Sequence, residues 1–327
     1  MTNLKKKKSV LLLLLCMAWS TSWSSTYDQN GLLGLKYGPN LSWTLAGNTP
    51  FVWGSWLPQA TGEFSFNWIE PLSNLPYGQS LDRGASFLRF NADVEVSPFY
   101  GGFSMGLGIR PLQINPQAEL RFIYENYTYF GSNVEMTLAD SSGTGNIADT
   151  WTADYVTNSL YDDSQVDYMQ NFTFCLDLDY SFGLGGLLGL GLHYTLVDIS
   201  TEYEGKSYDY SRNIPVFSRD FIFELILYGF FPINENWALS LYLNQYNTGY
   251  LRSSTGTYLK ESLSYTKVML GPSFSWNKGN NRITLMPGYW VRDKKQHYNG
   301  SEAEQFLIHL QYQGYFDFPV KSHSEKR

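Results

Sequence analysis

A histidine, a hydroxyl residue and a carboxylate lie close together in the sequence. His193 and Thr195 are two residues apart, and Asp198 follows three residues later. A hydrolytic triad needs a nucleophile held against a base that a carboxylate orients. Thr is a weak nucleophile, and the chain carries no phosphate-binding or dinucleotide-binding glycine motif. We therefore assign no catalytic residue, metal site or cofactor from the sequence, and a hydrolase remains an alternative only.

A second chemical signal is a long acidic interval. No Lys or Arg occurs between Arg121 and Lys206, whereas this interval holds 13 acids, seven of them in residues 131–169. Such a surface concentrates cations, and carboxylates are ligands for hard cations such as Ca²⁺. A solvated acidic loop is the alternative, because the spacing matches no calcium-binding loop. The three acids that could bind a cation are Asp162, Asp163 and Asp167. The net charge of −7 argues against nucleic acid as a partner.

The residues around Cys175 indicate a strand with two unlike faces. In residues 171–182 every second side chain is large and apolar, from Phe172 to Phe182, and those between are mainly polar or acidic. A strand places successive side chains on opposite faces. This segment therefore fits a strand that contacts lipid on one side and water on the other.

The same alternation recurs through residues 86–318 and predicts ten strands of roughly 11 to 15 residues, long enough to cross a bilayer at a tilt. An Arg or Lys that faced lipid at mid-membrane would cost about 2–4 kcal/mol. We therefore expect the charges to face the lumen, either along a water-filled conduit or in salt bridges that fill the barrel. The predicted lumen-lining residues are Arg89, Asp93, Glu95, Arg110, Glu119, Arg121, Asp177, Asp179, His193, Glu224, Lys267 and Arg282.

Short and long connections alternate between these strands. Residues 183–186, 232–236 and 277–281 are short, as expected for periplasmic turns. The longer connections, which we expect outside the cell, are residues 131–169, 200–217, 248–261 and 293–303. The lipid-facing residue nearest each periplasmic end is aromatic, which is typical of a membrane-interface girdle. The predicted girdle residues are Phe182, Phe231, Trp237, Trp276 and Phe318.

The N-terminus has the pattern of a secretory signal peptide. Lys5 to Lys8 give a positive region, Val10 to Met17 give a short apolar region, and small residues follow at spacings that suit cleavage near residues 20–24. The apolar run is too short for a membrane-spanning helix. Cleavage would leave Cys175 as the only cysteine, so we expect no intrachain disulfide.

The strand count depends on the N-terminal region. Residues 50–57 and 62–69 could form one hairpin, which gives twelve strands. Residues 31–37 and 41–46 could add another, which gives fourteen, or could line the lumen. The predicted division of the chain is a signal peptide (1–24), N-terminal strands or a partial lumen segment (25–85), the main barrel strands (86–318) and a polar tail (319–327).

An export signal followed by long alternating strands resembles a bacterial outer-membrane β-barrel of the porin-like kind. The resemblance covers residues 1–24 and 86–318 well and residues 31–85 loosely; the chain departs from it in continuing beyond Phe318 into a polar tail. It implies an all-β fold, a transmembrane antiparallel barrel of about twelve strands with fourteen as the alternative. It also implies a bacterial outer-membrane location, with the lipid bilayer and the outer-membrane assembly machinery as partners.

Three functions fit this architecture. The first is a pore for small polar solutes with a mild preference for cations. The second is a non-conducting surface barrel whose loops, chiefly residues 131–169, bind a partner. The third is a membrane-embedded hydrolase that would use His193.

Overall fold

The chain is described by a computed structural model. The residues that the structure describes are 36–49, 59–73, 75–79, 81, 86–97, 100–112, 114–129, 136–137, 168–182, 186–199, 205–209, 212, 214–217, 219–248, 263–276, 281–292 and 304–316. Among them no helix is long and apolar enough to span a membrane.

Twelve antiparallel strands form one closed barrel. They are β1 (Gly38–Thr49), β2 (Gln59–Pro71), β3 (Phe87–Val96), β4 (Tyr100–Arg110), β5 (Gln117–Tyr129), β7 (Tyr168–Phe182), β8 (Gly186–Ile199), β11 (Arg219–Pro232), β12 (Trp237–Thr248), β13 (Leu263–Trp276), β14 (Asn281–Arg292) and β15 (Glu304–Phe316). Three short strands form a separate sheet in the order β10-β9-β6; they are β6 (Met136–Thr137), β9 (Gly205–Asp209) and β10 (Ile214–Phe217).

The barrel closes where its first strand pairs with its last. Leu41 of β1 lies opposite Phe316 of β15, and the pairing continues to Thr49 opposite Ile308. The prediction of an all-β barrel with twelve strands is thereby confirmed, and the fourteen-strand alternative is wrong.

The N-terminal strand boundaries differ from the prediction. Residues 41–46 lie inside the single strand β1, which begins at Gly38 with a φ of 95°, and residues 62–69 lie inside β2. The partner of β2 is β1, not residues 50–57, which lie outside the described residues together with most of 31–37. The prediction left residues 38–40 between two segments, whereas Gly38 begins the single strand β1.

The wall is apolar outside and polar inside. In β7, Phe174 is 53% exposed and its neighbour Cys175 is 3% exposed, and this alternation runs along most of the barrel strands. The exposed residues around the wall include many Leu, Ile, Val, Phe and Trp side chains. A water-soluble monomer rarely exposes an apolar patch above a few hundred Å². This outer surface therefore suits hydrocarbon rather than water.

Both ends of the strands are fixed by local contacts. The β3–β4 turn is tight, with the Ser97 amide donating to the Tyr100 carbonyl at 2.8 Å. At the other end, Leu75 and Leu81 of the β2–β3 link pack against Tyr37, Ile69 and Phe87. This link therefore covers part of the barrel end at which short connections also join β7 to β8, β11 to β12 and β13 to β14. We refer to it as the turn end and to the opposite end as the loop end.

Candidate functional site: the barrel interior

Glycines on the inner wall make room for long polar side chains on neighbouring strands. A Cβ at Gly106 would meet the side chain of Asn91, and one at Gly108 would meet Arg121 and Glu119. On β8, a Cβ at Gly191 would lie 3.0 Å from the carboxylate of Asp177. These glycines alternate in the sequence with outward-facing apolar residues. Each faces inward, where a side chain would displace a polar neighbour.

An ion-pair cluster lies inside the turn end. Arg110 at the end of β4 contacts Glu119 of β5 and Asp179 of β7, with Nη2 3.0 Å from one carboxylate and 2.5 Å from the other. Its Nη1 donates to Gln117 at 2.6 Å. Tyr228 of β11 also donates to Asp179. The Arg110 guanidinium thus joins β4 to β5 and β7, and Asp179 extends the cluster to Tyr228 of β11. These contacts neutralise charges that would be costly to bury alone.

A second cluster lies halfway along the barrel. Arg121 donates from Nε and Nη2 to one oxygen of Asp177, at 3.1 and 2.9 Å. Nε2 of His193 lies 2.8 Å from the other oxygen of Asp177, and Nδ1 lies 3.9 Å from Glu224 of β11. Asn244 of β12 donates to Glu224. The polar chain therefore continues around the inner wall from β5 to β12.

The structure does not assemble a hydrolytic triad from His193, Thr195 and Asp198. The Thr195 hydroxyl bonds the Thr173 hydroxyl at 2.9 Å, and His193 bonds Asp177. The side chain of Asp198 is 54% exposed, and its Oδ1 lies 3.6 Å from Nε of Arg219. The physical reason is strand parity, since residues 193 and 198 are an odd number apart and project from opposite faces. The hydrolase hypothesis thus loses its geometric basis at these residues.

A hairpin from a long connection reaches into the loop end. Arg212, between β9 and β10, is 1% exposed and lies 2.9 Å from Asp209 and 3.3 Å from Glu125 of β5. Lys267 of β13 donates to the Arg212 carbonyl at 3.1 Å. Because β5 and β13 are separated by four strands on the shorter way around the barrel, these contacts reach across the lumen. The sequence predicted a long connection at 200–217 but did not predict this hairpin.

The β12–β14 side of the interior is richer in hydroxyls than in charge. Ser240, Ser273 and Thr284 form a chain of hydroxyl contacts of 2.7 and 2.8 Å across three strands. Arg282 donates to Ser275 at 3.1 Å and lies over the Phe230 ring, 4.9 Å from its centre. The charge inside the barrel is therefore concentrated on the wall from β3 to β11.

The structure buries eleven of the twelve predicted lumen-lining residues, and the side chain of the twelfth, Arg89, is 13% exposed. Asp93 accepts hydrogen bonds from Asn91 and Ser104 at 2.7 Å, and Glu95 accepts one from Tyr100. Sequence reasoning missed Asp209 and Arg212, because their connection shows no alternation. Their only signal was a pair of opposite charges three residues apart.

Four of the five predicted girdle residues, Phe182, Phe231, Trp237 and Trp276, lie at the turn end. Phe182 and Phe231 have ring centres 5.8 Å apart, and Trp237 lies 4.8 Å from Phe274. Trp276 stacks on Tyr312 at 5.6 Å. Phe318 and the acidic residues Asp162, Asp163 and Asp167 lie outside the described residues, so the proposed cation site there stays a prediction.

Comparison with known proteins adds only a likeness of fold. No family model matches the chain, and no curated protein matches it significantly. Among solved structures, an outer membrane channel from Pseudomonas putida F1 is 10% identical with a TM-score of 0.49, covering 89% of this chain and 100% of that one. The translocator domain of autotransporter NalP from Neisseria meningitidis is 11% identical with a TM-score of 0.44, covering 88% and 91%. The toluene transporter TodX from Pseudomonas putida is 12% identical with a TM-score of 0.40, covering 91% and 95%.

Sequence identities this low say nothing about function. The architecture of the chain is therefore assigned from the properties of its own barrel wall. That wall is closed by the pairing of β1 with β15, exposes apolar side chains all around, and buries its charges. The chain has the architecture of an outer-membrane β-barrel.

Proposed function

We propose that the barrel is a pore for small polar solutes. The observation that carries this proposal is a polar inner surface that extends from one end to the other. It begins at Arg110 and Asp179 near the turn end, continues through Asp177, and reaches Glu125 and Arg212 near the loop end. A water-filled path for hydrophilic solutes requires such a polar inner surface.

A mild preference for cations follows from the balance of interior charge. Among the described residues, nine buried carboxylates face five buried Lys and Arg side chains. The carboxylates are Asp93, Glu95, Glu119, Glu125, Asp177, Asp179, Asp209, Asp220 and Glu224, and the cations are Arg110, Arg121, Arg212, Lys267 and Arg282. An excess of one sign inside low-dielectric walls raises the local concentration of the opposite ion.

The small sheet is positioned to restrict the path. Val216 of β10 belongs to the same buried cluster as Tyr127, Tyr246 and Met269 of the barrel wall. Together with the contacts of Arg212 to Glu125 and to Lys267, this places the hairpin in the loop-end mouth. The pore would therefore conduct at a low level until the hairpin moves.

A second candidate is a non-conducting barrel whose loops bind a partner. It is supported by the extent of pairing inside the wall, where Arg110, Arg121 and Arg212 each contact two carboxylates within 4.0 Å. Paired charges that exclude water would serve stability instead of transport. A twelve-strand barrel lies between eight strands, which side chains fill, and sixteen, which leave a channel.

Current across a planar bilayer distinguishes the two candidates. The purified barrel should give discrete current steps. In a KCl gradient, the sign of the reversal potential should indicate selectivity for K⁺ over Cl⁻, because interior carboxylates outnumber interior Lys and Arg side chains. A folded, membrane-inserted barrel that carries no current would favour the second candidate. A reversal potential of the sign for chloride would contradict the cation preference while leaving the pore intact.

We infer that the chain is not an enzyme. The pairing of Thr195 with Thr173 and of His193 with Asp177 supports this inference, because neither hydroxyl nor imidazole is aimed at a lipid-facing site. Release of fatty acid from phospholipid vesicles by the purified barrel would contradict it.

A further inference from the structure

The outer wall carries a groove bounded by two rows of unlike side chains. One row is aromatic except at Leu107; its aromatic members, paired strand to strand from β2 to β11, are Trp68, Phe90, Phe122, Phe174, Tyr194 and Phe223. The neighbouring row is aliphatic; its members on β3 to β8 are Leu88, Ile109, Leu120, Leu176 and Leu192. The groove between these rows has a volume of about 860 Å³.

The depth of this groove follows from strand parity. Its floor is formed by the backbone of residues that face the interior, among them Gly108, Arg121 and Cys175. Within the aromatic row, Phe122 and Phe174 support each other with ring centres 5.1 Å apart. The groove is therefore a built feature of seven adjacent strands and not a gap between two side chains.

The course of the groove matches that of a lipid chain. Six steps of about 4.8 Å between strands give a length of about 29 Å. Because barrel strands tilt by roughly 35–45°, a row that follows the hydrogen bonds climbs obliquely across the wall. It starts at Glu70 and Trp68, near the turn end of β2, and ends at Phe223, in the loop-end half of β11. With short turns on the periplasmic side, the start lies in the inner leaflet.

A carboxylate stands at the start of the groove. Oε2 of Glu70 accepts hydrogen bonds from Trp68 Nε1 at 3.1 Å and from the Tyr77 hydroxyl. Those two bonds hold the Glu70 side chain at the membrane interface. The hydrogen bond from Tyr77 to Glu70 also raises the pKa of the Tyr77 phenol above its usual value. The other oxygen, Oε1, accepts no hydrogen bond from the described residues. It is available to a donor from a lipid headgroup.

We propose that the groove binds one glycerophospholipid whose headgroup carries a primary ammonium, with the ammonium on Glu70 and an acyl chain between the two rows. Charge complementarity selects a cationic donor over a phosphate-only headgroup, because Glu70 is the only charged outward side chain among the described residues that line the groove. A primary ammonium donates hydrogen bonds that a quaternary ammonium cannot donate. The apolar rows supply affinity and the carboxylate supplies selectivity.

Native mass spectrometry of the full barrel tests this site. The protein is loaded from an equimolar mixture of phosphatidylethanolamine, phosphatidylcholine and phosphatidylglycerol, and excess detergent then removes weakly held lipid. We expect one retained lipid per barrel, enriched in phosphatidylethanolamine. Glu70→Gln should lower that enrichment about tenfold, as for the loss of one charge-assisted hydrogen bond. The matched control is Glu235→Gln, which removes an exposed carboxylate from the turn between β11 and β12.

A second variant tests the groove itself. Leu120→Trp should obstruct the groove midway along its length and abolish retention. Leu285→Trp, at a lipid-facing position on β14 that is 43% exposed, should leave retention unchanged. Folding of every variant is checked by the heat-dependent shift of the barrel on a gel. Retention without headgroup preference, or equal retention in Leu120→Trp, would overturn the proposal. None of these outcomes depends on whether the barrel conducts.

Discussion

At the scale of single residues, the interior combines glycines with long charged side chains from adjacent strands. Arg121 of β5 lies over Gly108 of β4, and Asp177 lies beside Gly191 of β8. Large side chains at both members of such a pair would compete for one volume, because interiors are close-packed. The small residues are therefore as necessary to the polar network as the charged ones.

Removing one member of the buried network should destabilise the barrel. In Arg121→Ala, the carboxylate of Asp177 loses both hydrogen bonds from the guanidinium while it stays buried. Breaking a buried pair in this way costs about 3–5 kcal/mol. The midpoint of urea unfolding in detergent, followed by gel shift, measures the change in the free energy of unfolding.

The matched control for this substitution is an exposed ion pair. Arg219→Ala removes a partner of Asp198 at 3.6 Å, but the two side chains are 81% and 54% exposed. Exposed pairs contribute about 0–1 kcal/mol, so this variant should unfold near the wild-type midpoint. Equal midpoints for the two variants would mean that water reaches the Arg121 pair and screens it.

The inward direction of these charges could be predicted from the sequence, but their partners could not. Alternation decides which face of a strand a residue occupies, and this placed Asp177 and His193 on one inner wall. It does not give the register between strands, and therefore could not pair Arg110 with Asp179, which are 69 residues apart. It also gave no position for Arg212, whose burial depends on a loop that folds back on the wall.

At the scale of elements, the hairpin of β9 and β10 is the least predictable part of the fold. Its sequence from residue 205 to 217 shows no continuous alternation, and its two strands are only five and four residues long. Tertiary contacts hold it instead, through Arg212 to Glu125 and through the Arg212 carbonyl to Lys267. Single-sequence reasoning cannot anticipate an element that is specified mainly by distant strands.

Releasing this hairpin should raise the conductance. Arg212→Ala removes the guanidinium contacts to Asp209 and Glu125, whereas the other hydrogen bonds of these carboxylates stay. We expect a larger single-channel current in planar bilayers and a stronger preference for cations, because one interior positive charge is lost. Arg219→Ala, which also removes one arginine but from an exposed site, serves as the control. An unchanged current in Arg212→Ala would show that the hairpin does not limit flow.

At the scale of the whole molecule, the barrel depends on one seam between chain ends that are far apart in sequence. Nine residue pairs connect β1 to β15. The count of twelve strands could be predicted because ten strands alternate and one N-terminal hairpin was added to them, although residues 50–57 of that hairpin lie outside the described residues. The identity of the first strand could not, because turn residues at positions 38–40 hid its beginning.

A cysteine pair across the seam tests closure. Ala46 lies opposite Gln311, and directly opposed antiparallel residues have Cα separations of about 4.5–5.5 Å, within the range of a disulfide. In a Cys175→Ser background, Ala46→Cys with Gln311→Cys should oxidise to a crosslinked form with altered gel mobility. Ala46→Cys with Gln313→Cys is two residues out of register and should crosslink poorly. The reverse preference would contradict this register.

The pairing of the first strand with the last also sets the order of biogenesis. The segment that completes the wall leaves the ribosome at the end of synthesis, so until then β1 and β14 each lack one partner. During export the nascent wall has two open edges, which are templates for aggregation. We expect such a polypeptide to need protection in the periplasm, and a version truncated before residue 304 to remain a substrate for quality-control proteases however well its other strands were made.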